Sequence, residues 1–376
     1  KGNGIVKPIV NGLHSSRNIM INNGVRMQDQ EWGAEHAPNI DVNSVGRLTL
    51  VKSAGALQYG GDAMGGVIIA EALKVPVKDS LYGKTMSSLT SNGRGGVLTS
   101  TLTKSYANGW YGTAQGSLKR FGDFEAADYV LSNTGIIEQN ASLRLGLNKF
   151  NYGIEAYFSF FSNEIGILRA SHLHGAADQV RAFDSDMPLI INDFTYNIGA
   201  PRQNVKHQLA RIKGFKTIEN FGTLSLQYDY QQNNRFEFGI RRGDDKDKAA
   251  IDLKLGTHTF LLDFENNFER QLNIKSGVMT RYQNNFANPN TGVRRLIPDY
   301  DKYDLGIYLL GDYTLNDRWL LEAGARFDYT QMDVYKYYRT SFWEERNYDI
   351  LYPEIVVDDL GTQVLANPNS KFHNAS

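Results

Sequence analysis

The 376-residue chain contains no cysteine, so disulfide frameworks, thiolate metal sites and cysteine nucleophiles are excluded. No apolar run approaches the ~18 to 20 residues that a membrane-spanning helix requires. The richest, Gly66-Val67-Ile68-Ile69-Ala70, is cut off by Glu71. A surplus of positive charge is also missing, because 40 Lys and Arg stand against 41 Asp and Glu. A nucleic-acid binder needs that surplus to displace counterions from phosphate, so that partner class is excluded too. Neither a Gly-x-Ser-x-Gly elbow nor a His-Glu-x-x-His helix is present, and no enzyme or cofactor is expected, although a dispersed Ser-His-Asp set stays open at this level.

With 41% hydrophobic and 22% charged residues, the chain is expected to fold. Its mean hydropathy of -0.41 suits strands that alternate apolar and polar residues, as membrane β-barrels do. From about Tyr82 onward such alternation dominates. Ala141, Leu143, Leu145 and Leu147 alternate with Ser142, Arg144, Gly146 and Asn148, which puts one set on each face of a strand. Leu224, Leu226, Tyr228 and Tyr230 do the same, as do Leu321, Ala323, Ala325, Phe327 and Tyr329.

A soluble sheet packed on one face would also alternate. Strand length separates the two readings, since soluble strands cluster near ~5 to 6 residues and tilted membrane strands need ~9 to 11. The pattern predicts strands near 83–91, 96–106, 111–122, 136–149, 152–167, 204–217, 222–238, 250–267, 273–286, 303–315 and 318–334. Links after every second strand are then short, as at Ala107-Asn108-Gly109-Trp110, Phe150-Asn151 and Asn316-Asp317. Those between are long, at 123–135, 168–203, 239–249, 287–302 and everything after 334. Short turns on one side and long loops on the other mark a bacterial outer-membrane barrel. The turn Asn92-Gly93-Arg94-Gly95 is a mild exception. Aromatic residues near strand ends (Tyr111, Phe121, Tyr152, Tyr230, Phe236, Trp319, Tyr329) suit rings at headgroup level.

Residues 1–76 read as a separate globular unit with short β-like runs and Gly-rich turns. Here the motifs Pro8-Ile9-Val10-Asn11-Gly12-Leu13, Arg17-Asn18-Ile19-Met20-Ile21-Asn22-Asn23-Gly24-Val25, Arg47-Leu48-Thr49-Leu50-Val51-Lys52 and Gln58-Tyr59-Gly60-Gly61-Asp62-Ala63-Met64-Gly65-Gly66-Val67-Ile68 occur in order. In that order they resemble the plug domain of TonB-dependent receptors. Asn11, Asn23 and Ser53-Ala54 depart from the family pattern, which usually has Arg, Asp and Gly-Pro there. Gly12, Gly24, Tyr59, Gly60, Gly65 and Gly66 are structural plug residues on this reading, the glycines permitting positive φ and close packing. A phosphate-cradling loop is the rival, but no Gly-Lys-Ser/Thr follows.

The fold expected is therefore mostly β: the C-terminal part of a small α+β plug (1–76), then about eleven of ~22 strands of an antiparallel transmembrane barrel (77–376). Neither end resembles a chain terminus of such a protein: Lys1-Gly2-Asn3-Gly4 is no signal peptide, and the last seven residues, from Ser370 to Ser376, read as a polar loop. Truncation at both ends is expected. Arg144, Glu155, Glu322, Arg326 and Asp328 are read as lumen-facing charges that hydrate the interior or touch the plug.

Two places suggest ligand binding, which belongs on loops held by a rigid scaffold. Trp32, Glu35 and His36 lie in one plug loop. His172, His174 and Asp178 lie in the longest internal loop, where the two histidines would face one side if extended and could share a metal. The resemblance implies an outer-membrane receptor that meets membrane lipid, captures a metal complex or other small nutrient outside the cell, and admits it when TonB acts through a segment outside this chain. A ferric siderophore leads by family frequency, with zinc and haem as alternatives. A soluble or surface β-sandwich binding module is the rival of another class.

Overall fold

The computed structural model describes residues 7–28, 36–173, 175–268 and 271–376. The first unit is a four-stranded sheet of β1 (Asn18–Asn22), β2 (Val25–Arg26), β3 (Arg47–Val51) and β4 (Gly66–Glu71), ordered β2-β1-β4-β3. β1 and β4 run parallel and the other pairs antiparallel. Ile19, Ile21, Ala56 and Val67 close its core. The expected helical part of this unit consists, among the described residues, of 3-10 turns at Ser15–Arg17, Val42–Ser44 and Ser53–Gln58.

The β1–β2 connection is Asn23-Gly24, with φ of 48° and 81°. Two successive positive φ values make the two-residue hairpin turn that matches strand twist, and Asn-Gly is its favoured sequence. Asn11 and Gly12, at φ 51° and 79°, close the bridge between Val10 and Leu13 in the same way.

The wall begins with β5 (Ser80–Thr90), β6 (Gly95–Ser105) and β7 (Trp110–Phe121). A two-residue ribbon of β8 (Phe124–Glu125) and β9 (Val130–Leu131) decorates the next loop. Then come β10 (Ile136–Asn148), β11 (Tyr152–Gly166), β12 (Arg202–Ile218), β13 (Gly222–Phe238), β14 (Ile251–Phe268), β15 (Leu272–Ala287), β16 (Asp299–Asn316) and β17 (Trp319–Arg339). Each pairs antiparallel with its neighbour in sequence. The hairpin of β18 (Val356–Asp359) and β19 (Gln363–Ala366) extends the top of β17, and β20 (Ser370–Ala375) pairs with its middle.

Each wall strand sorts its side chains by parity. Leu226, Leu262, Val278, Ile307 and Phe327 lie in register across β13 to β17. All are between 38% and 59% exposed on the outer face. The opposite parity of β13 carries Gln227, Asp229, Gln231, Asn233 and Arg235, none more than 4% exposed. Polar inside and apolar outside reverses a soluble protein and suits a sheet solvated by hydrocarbon. The plug fills the concave side: Val25, Met27 and Ile40 form one apolar cluster with Tyr157 of β11 and Leu209 of β12.

Aromatic residues border the apolar band. Tyr230, His258, Tyr282 and Tyr303 form a ladder across β13 to β16, with successive ring centroids 4.7, 6.3 and 5.0 Å apart. Toward the short turns, Phe221 and Phe264 pack at 5.0 Å, and Tyr313 and Trp319 are exposed at the same end of β16 and β17. Tyr303 and Tyr313 are ten positions apart on one face of β16, or ~33 Å along the strand. Tilt reduces that to the ~25 Å height of a membrane band.

Three expectations change. Tyr111 and Phe121 have inward parity, and the Tyr111 hydroxyl donates to Glu155 instead of meeting headgroups. Residues 176–183, read as open loop, form the helix α1 (Ala176–Phe183). The segment from Ser370 reads as a polar loop yet is strand β20, paired antiparallel with Phe327 to Met332 of β17.

Replacing Leu262 by Arg places a charge in the middle of the band and is expected to destabilise the barrel by about 2 to 4 kcal/mol. Folded fraction of the full-length protein in lipid, read by heat-modifiable gel mobility against urea, measures this; an unchanged midpoint would mean that the face meets no hydrocarbon.

Candidate functional site

The site with the densest chemistry is the seam between plug and wall. The tip of the β1–β2 hairpin, Asn23, is buried against two wall arginines. Arg144 Nη2 donates to Asn23 Oδ1 at 2.6 Å, and Arg211 donates to the Asn23 carbonyl. The Ala72 amide donates to the same Oδ1 at 3.1 Å. Glu155 balances the arginines, 3.7 Å from Arg144 Nε and in direct contact with Arg211. Gly24 is required at this tip: its φ is positive, and a Cβ would come within 2.7 Å of Arg211 Nη1.

Above the tip, β13 holds the hairpin through side chains. Gln227 Nε2 donates to the Gly24 carbonyl (3.0 Å) and Gln231 Nε2 to the Arg26 carbonyl (2.9 Å). Gln231 Oε1 in turn accepts from the Gln28 amide at 3.1 Å. A glutamine thus offers the hairpin edge the donor and acceptor that a neighbouring strand would supply. Elsewhere Asp41 accepts from Gln115 (2.7 Å) and Ser117 (2.6 Å) of β7. Arg326 Nη1 of β17 donates to the Leu57 carbonyl at 3.0 Å while Asp328 chelates its other nitrogens. Four of the five charges read as lumenal therefore belong to the seam; Glu322 is simply exposed.

Within the plug, Gly60 and Gly66 adopt positive φ (154° and 130°), and Gly65 leaves no room for a Cβ beside Asn18. The Tyr59 carbonyl accepts from Arg26 Nη1 at 3.1 Å, and burial, with Glu71 and Asp263 adding, pushes its phenol up to about 12. Arg26 Nη2 also pairs with Asp62 at 2.5 Å. Partial removal from water would raise the Asp62 carboxyl, but the charge and hydrogen bond of Arg26 outweigh this and hold it below its ordinary value.

Two cavities of mixed lining flank the seam. One of ≈ 890 Å³ opens toward the short turns and is lined by Arg47, Glu71, Lys74, Arg144, Glu155 and Arg211. The other, ≈ 560 Å³, lies toward the long loops between Ser16, Asn18, Arg26 and Asp62 of the plug and Gln283 and Tyr300 of the wall.

Of the ligand residues expected from sequence, Trp32, Glu35 and His174 lie outside the described residues. His36 is 3% exposed, with Nε2 2.8 Å from Glu237 Oε1 of β13, so it ties plug to wall. His172 is exposed beside Ser171, and Asp178 on α1 pairs with Arg181 at 3.4 Å. Among the described residues no group of three or more His, Asp or Glu is placed to hold a metal. Asn23, Arg211, Gln227 and Gln231 were missed; a strand with polar residues on one parity and apolar ones on the other was the available signal.

Comparison with known proteins agrees with this geometry. Residues 1–67 match the TonB-dependent Receptor Plug Domain. No curated protein matches the sequence. Among solved structures, the chain is similar to the ferric-catecholate import receptor Fiu of E. coli K12 (TM-score 0.69, 10% identity, 97% of this chain and 60% of that one). It also resembles the copper transporter OprC (0.66, 14%, 98% and 53%). A third is the ferric yersiniabactin uptake receptor FyuA of Yersinia pestis (0.63, 13%, 99% and 56%). The chain thus spans little more than half the length of these structures. Residues 1–67 thus carry a TonB-dependent receptor plug domain, and the likeness to solved structures shows the fold of the rest: a plug seated against the wall of a β-barrel.

Arg211→Met removes a buried cation from between Glu155 and the Asn23 carbonyl and is expected to destabilise the plug–wall seam by about 3 kcal/mol or more. Protease sensitivity of the plug in the full-length receptor reads this loss. The Arg26–Asp62 pair should contribute less than about 1 kcal/mol, since Asp62 is largely exposed. With the folded-state value depressed, that contribution is present at neutral pH and fades as pH falls through it. Asp62→Asn should therefore lower stability at pH 7 and match the parent in acid, as urea titrations at several pH values would show.

Proposed function

We propose that the protein imports a scarce metal complex across the outer membrane, with a ferric siderophore as the leading cargo, residues 1–76 as the stopper and 77–376 as the wall. The observation that supports this reading is the nature of the seam. Among the described residues, much of the contact between stopper and wall is made by hydrogen bonds and ion pairs to polar side chains, beside small apolar contacts. Water entering the lumen can replace such contacts at small net cost, whereas a fully apolar interface would resist separation. A plug of this kind closes the lumen at rest and yields when pulled. TonB is the partner that would pull, through a segment outside this chain, and membrane lipid is the partner of the outer face.

Cargo would enter from the long-loop side and meet the ≈ 560 Å³ cavity, where Arg26, Asp62, Gln283 and Tyr300 offer charge and hydrogen bonds. Residues Trp32, Glu35, His172, His174 and Asp178 remain part of the proposal as loop contacts to cargo. No step requires a catalytic group. The names of similar structures, which include copper, ferric yersiniabactin and ferric-catecholate transport, fit metal-linked cargo.

Uptake of 55Fe-siderophores, zinc and copper by cells with and without the full-length gene, under starvation for each metal in turn, tests the reading. Loss of one ferric-siderophore uptake in the deletion is expected. Unchanged uptake of every metal would overturn it, and loss of zinc uptake alone, reproduced by a His172→Ala/His174→Ala variant, would replace the siderophore with zinc.

A further inference from the structure

The cavity that opens toward the short turns carries more positive charge than its own side chains balance. Arg47, Lys74, Arg144, Arg211 and Lys213 line it against two carboxylates, Glu71 and Glu155. Both carboxylates are already engaged. Glu71 Oε2 accepts from Arg47 Nη2 at 2.7 Å and from its Nε at 3.2 Å. Glu155 Oε1 is held by Arg211, while its Oε2 accepts from the Tyr111 hydroxyl and lies 3.7 Å from Arg144 Nε.

Lys213 of β12 stands opposite Glu155 of β11 in the antiparallel ladder, on the same inner face. Opposite charges so placed attract across the strands, but the contacts to Tyr111, Arg144 and Arg211 take the Glu155 carboxylate. Lys213 is half-buried and forms no ion pair among the described residues; nor does Lys74, which is exposed on the segment after β4. Arg144 and Arg211 are further held by Asn23 at the plug tip. Among the cations that line the cavity, the two lysines are therefore the ones left without an acid. A positive cleft with low-dielectric walls focuses its field and concentrates anions. A cation half removed from water also costs free energy that a bound anion offsets. The cavity, ≈ 890 Å³, has the size of a small-molecule site, and Phe215, Leu73 and Val75 supply apolar lining beside the lysines. That mixture favours an organic anion over an inorganic one.

We propose that this cavity binds a compact organic anion with two or more carboxylates, its charges held by Lys213 and Lys74 and its carbon frame against Phe215 and Leu73. The cavity shares no lining residue with the ≈ 560 Å³ cavity toward the long loops, so the two sites are separate. Opening toward the short turns, it admits the anion from that side while the plug is seated. On the import reading that is the side of release, and an acidic cargo that had passed the plug would meet the same lysines. This role rests on that reading; the anion site itself does not.

Isothermal titration calorimetry of the full-length receptor in mild detergent, with the aromatic tricarboxylate trimellitate as titrant at fixed ionic strength, tests the site. Saturable binding is expected, weakened about tenfold or more in Lys74→Met/Lys213→Met and retained in Lys213→Arg, which keeps the charge. Lys216→Met, which removes an outward cation of the same strand, should leave it unchanged. Heat-modifiable gel mobility confirms that each variant is folded. No saturable binding, or equal binding by the parent and the double lysine variant, would overturn the proposal. Inorganic phosphate bound at the same affinity would also overturn it, by making the cavity a site for any anion. The readout needs no metal: siderophore uptake without trimellitate binding would sink this inference alone, and trimellitate binding without uptake of any metal would sink the import reading alone.

Discussion

Every second side chain of the wall has to satisfy hydrocarbon, and every other one has to satisfy a hydrated plug. The constraint follows from the backbone: a strand alternates faces strictly, and a membrane offers nothing to an unpaired amide or carbonyl. It accounts for the in-register row from Leu226 to Phe327 on one face and for the row Arg211, Asp229, Thr259, Arg281 and Asp304 on the other. The inner row sets two arginines beside two aspartates and a threonine, so charges that the apolar face could not tolerate offset one another beside the plug.

The plug depends on that polar face. Its own core is small, centred on Ile19, Ile21, Ala56 and Val67, and β2 is two residues long. Such a sheet is completed from outside, by Gln227 and Gln231 acting on the open edge of the hairpin and by Arg144 and Arg211 on its tip. The Asn23-Gly24 turn couples the two units: its conformation requires the glycine, and the carbonyl it turns outward is the one that Arg211 takes. A stopper stabilised in this way depends on the wall for much of its own order.

Much of the wall was legible in the sequence because parity is a local property. The strand read at 222–238 has the same limits in the structure, and that read at 204–217 differs by two residues at one end and one at the other. Departures occur where the two-sided solvent ends. β17 was read to 334 and runs to Arg339, because beyond the membrane its Lys336 to Arg339 pair with β19 instead of facing lipid. Tyr111 and Trp110 are adjacent aromatics at a strand start; counting parity from Gln115 would have sent Tyr111 inward, where it meets Glu155. At the candidate site, the lumenal charges were readable as a set, but their partners were not. Arg144 and Asn23 are 121 positions apart and Arg326 and Leu57 269 apart, and no local pattern links them.

By itself, the sequence determined that this chain is a barrel wall preceded by a plug: alternation, strand length and ordered glycine motifs are written along the chain and need no partner to be read. Only the tertiary structure decided that His36 is a buried tie to Glu237, that the polar segment from Ser370 joins the sheet, and that Lys206 and Lys254 flank Asn234 in one row. Each of these depends on which segments lie side by side, and a single segment does not carry the identity of a partner that is distant in the chain.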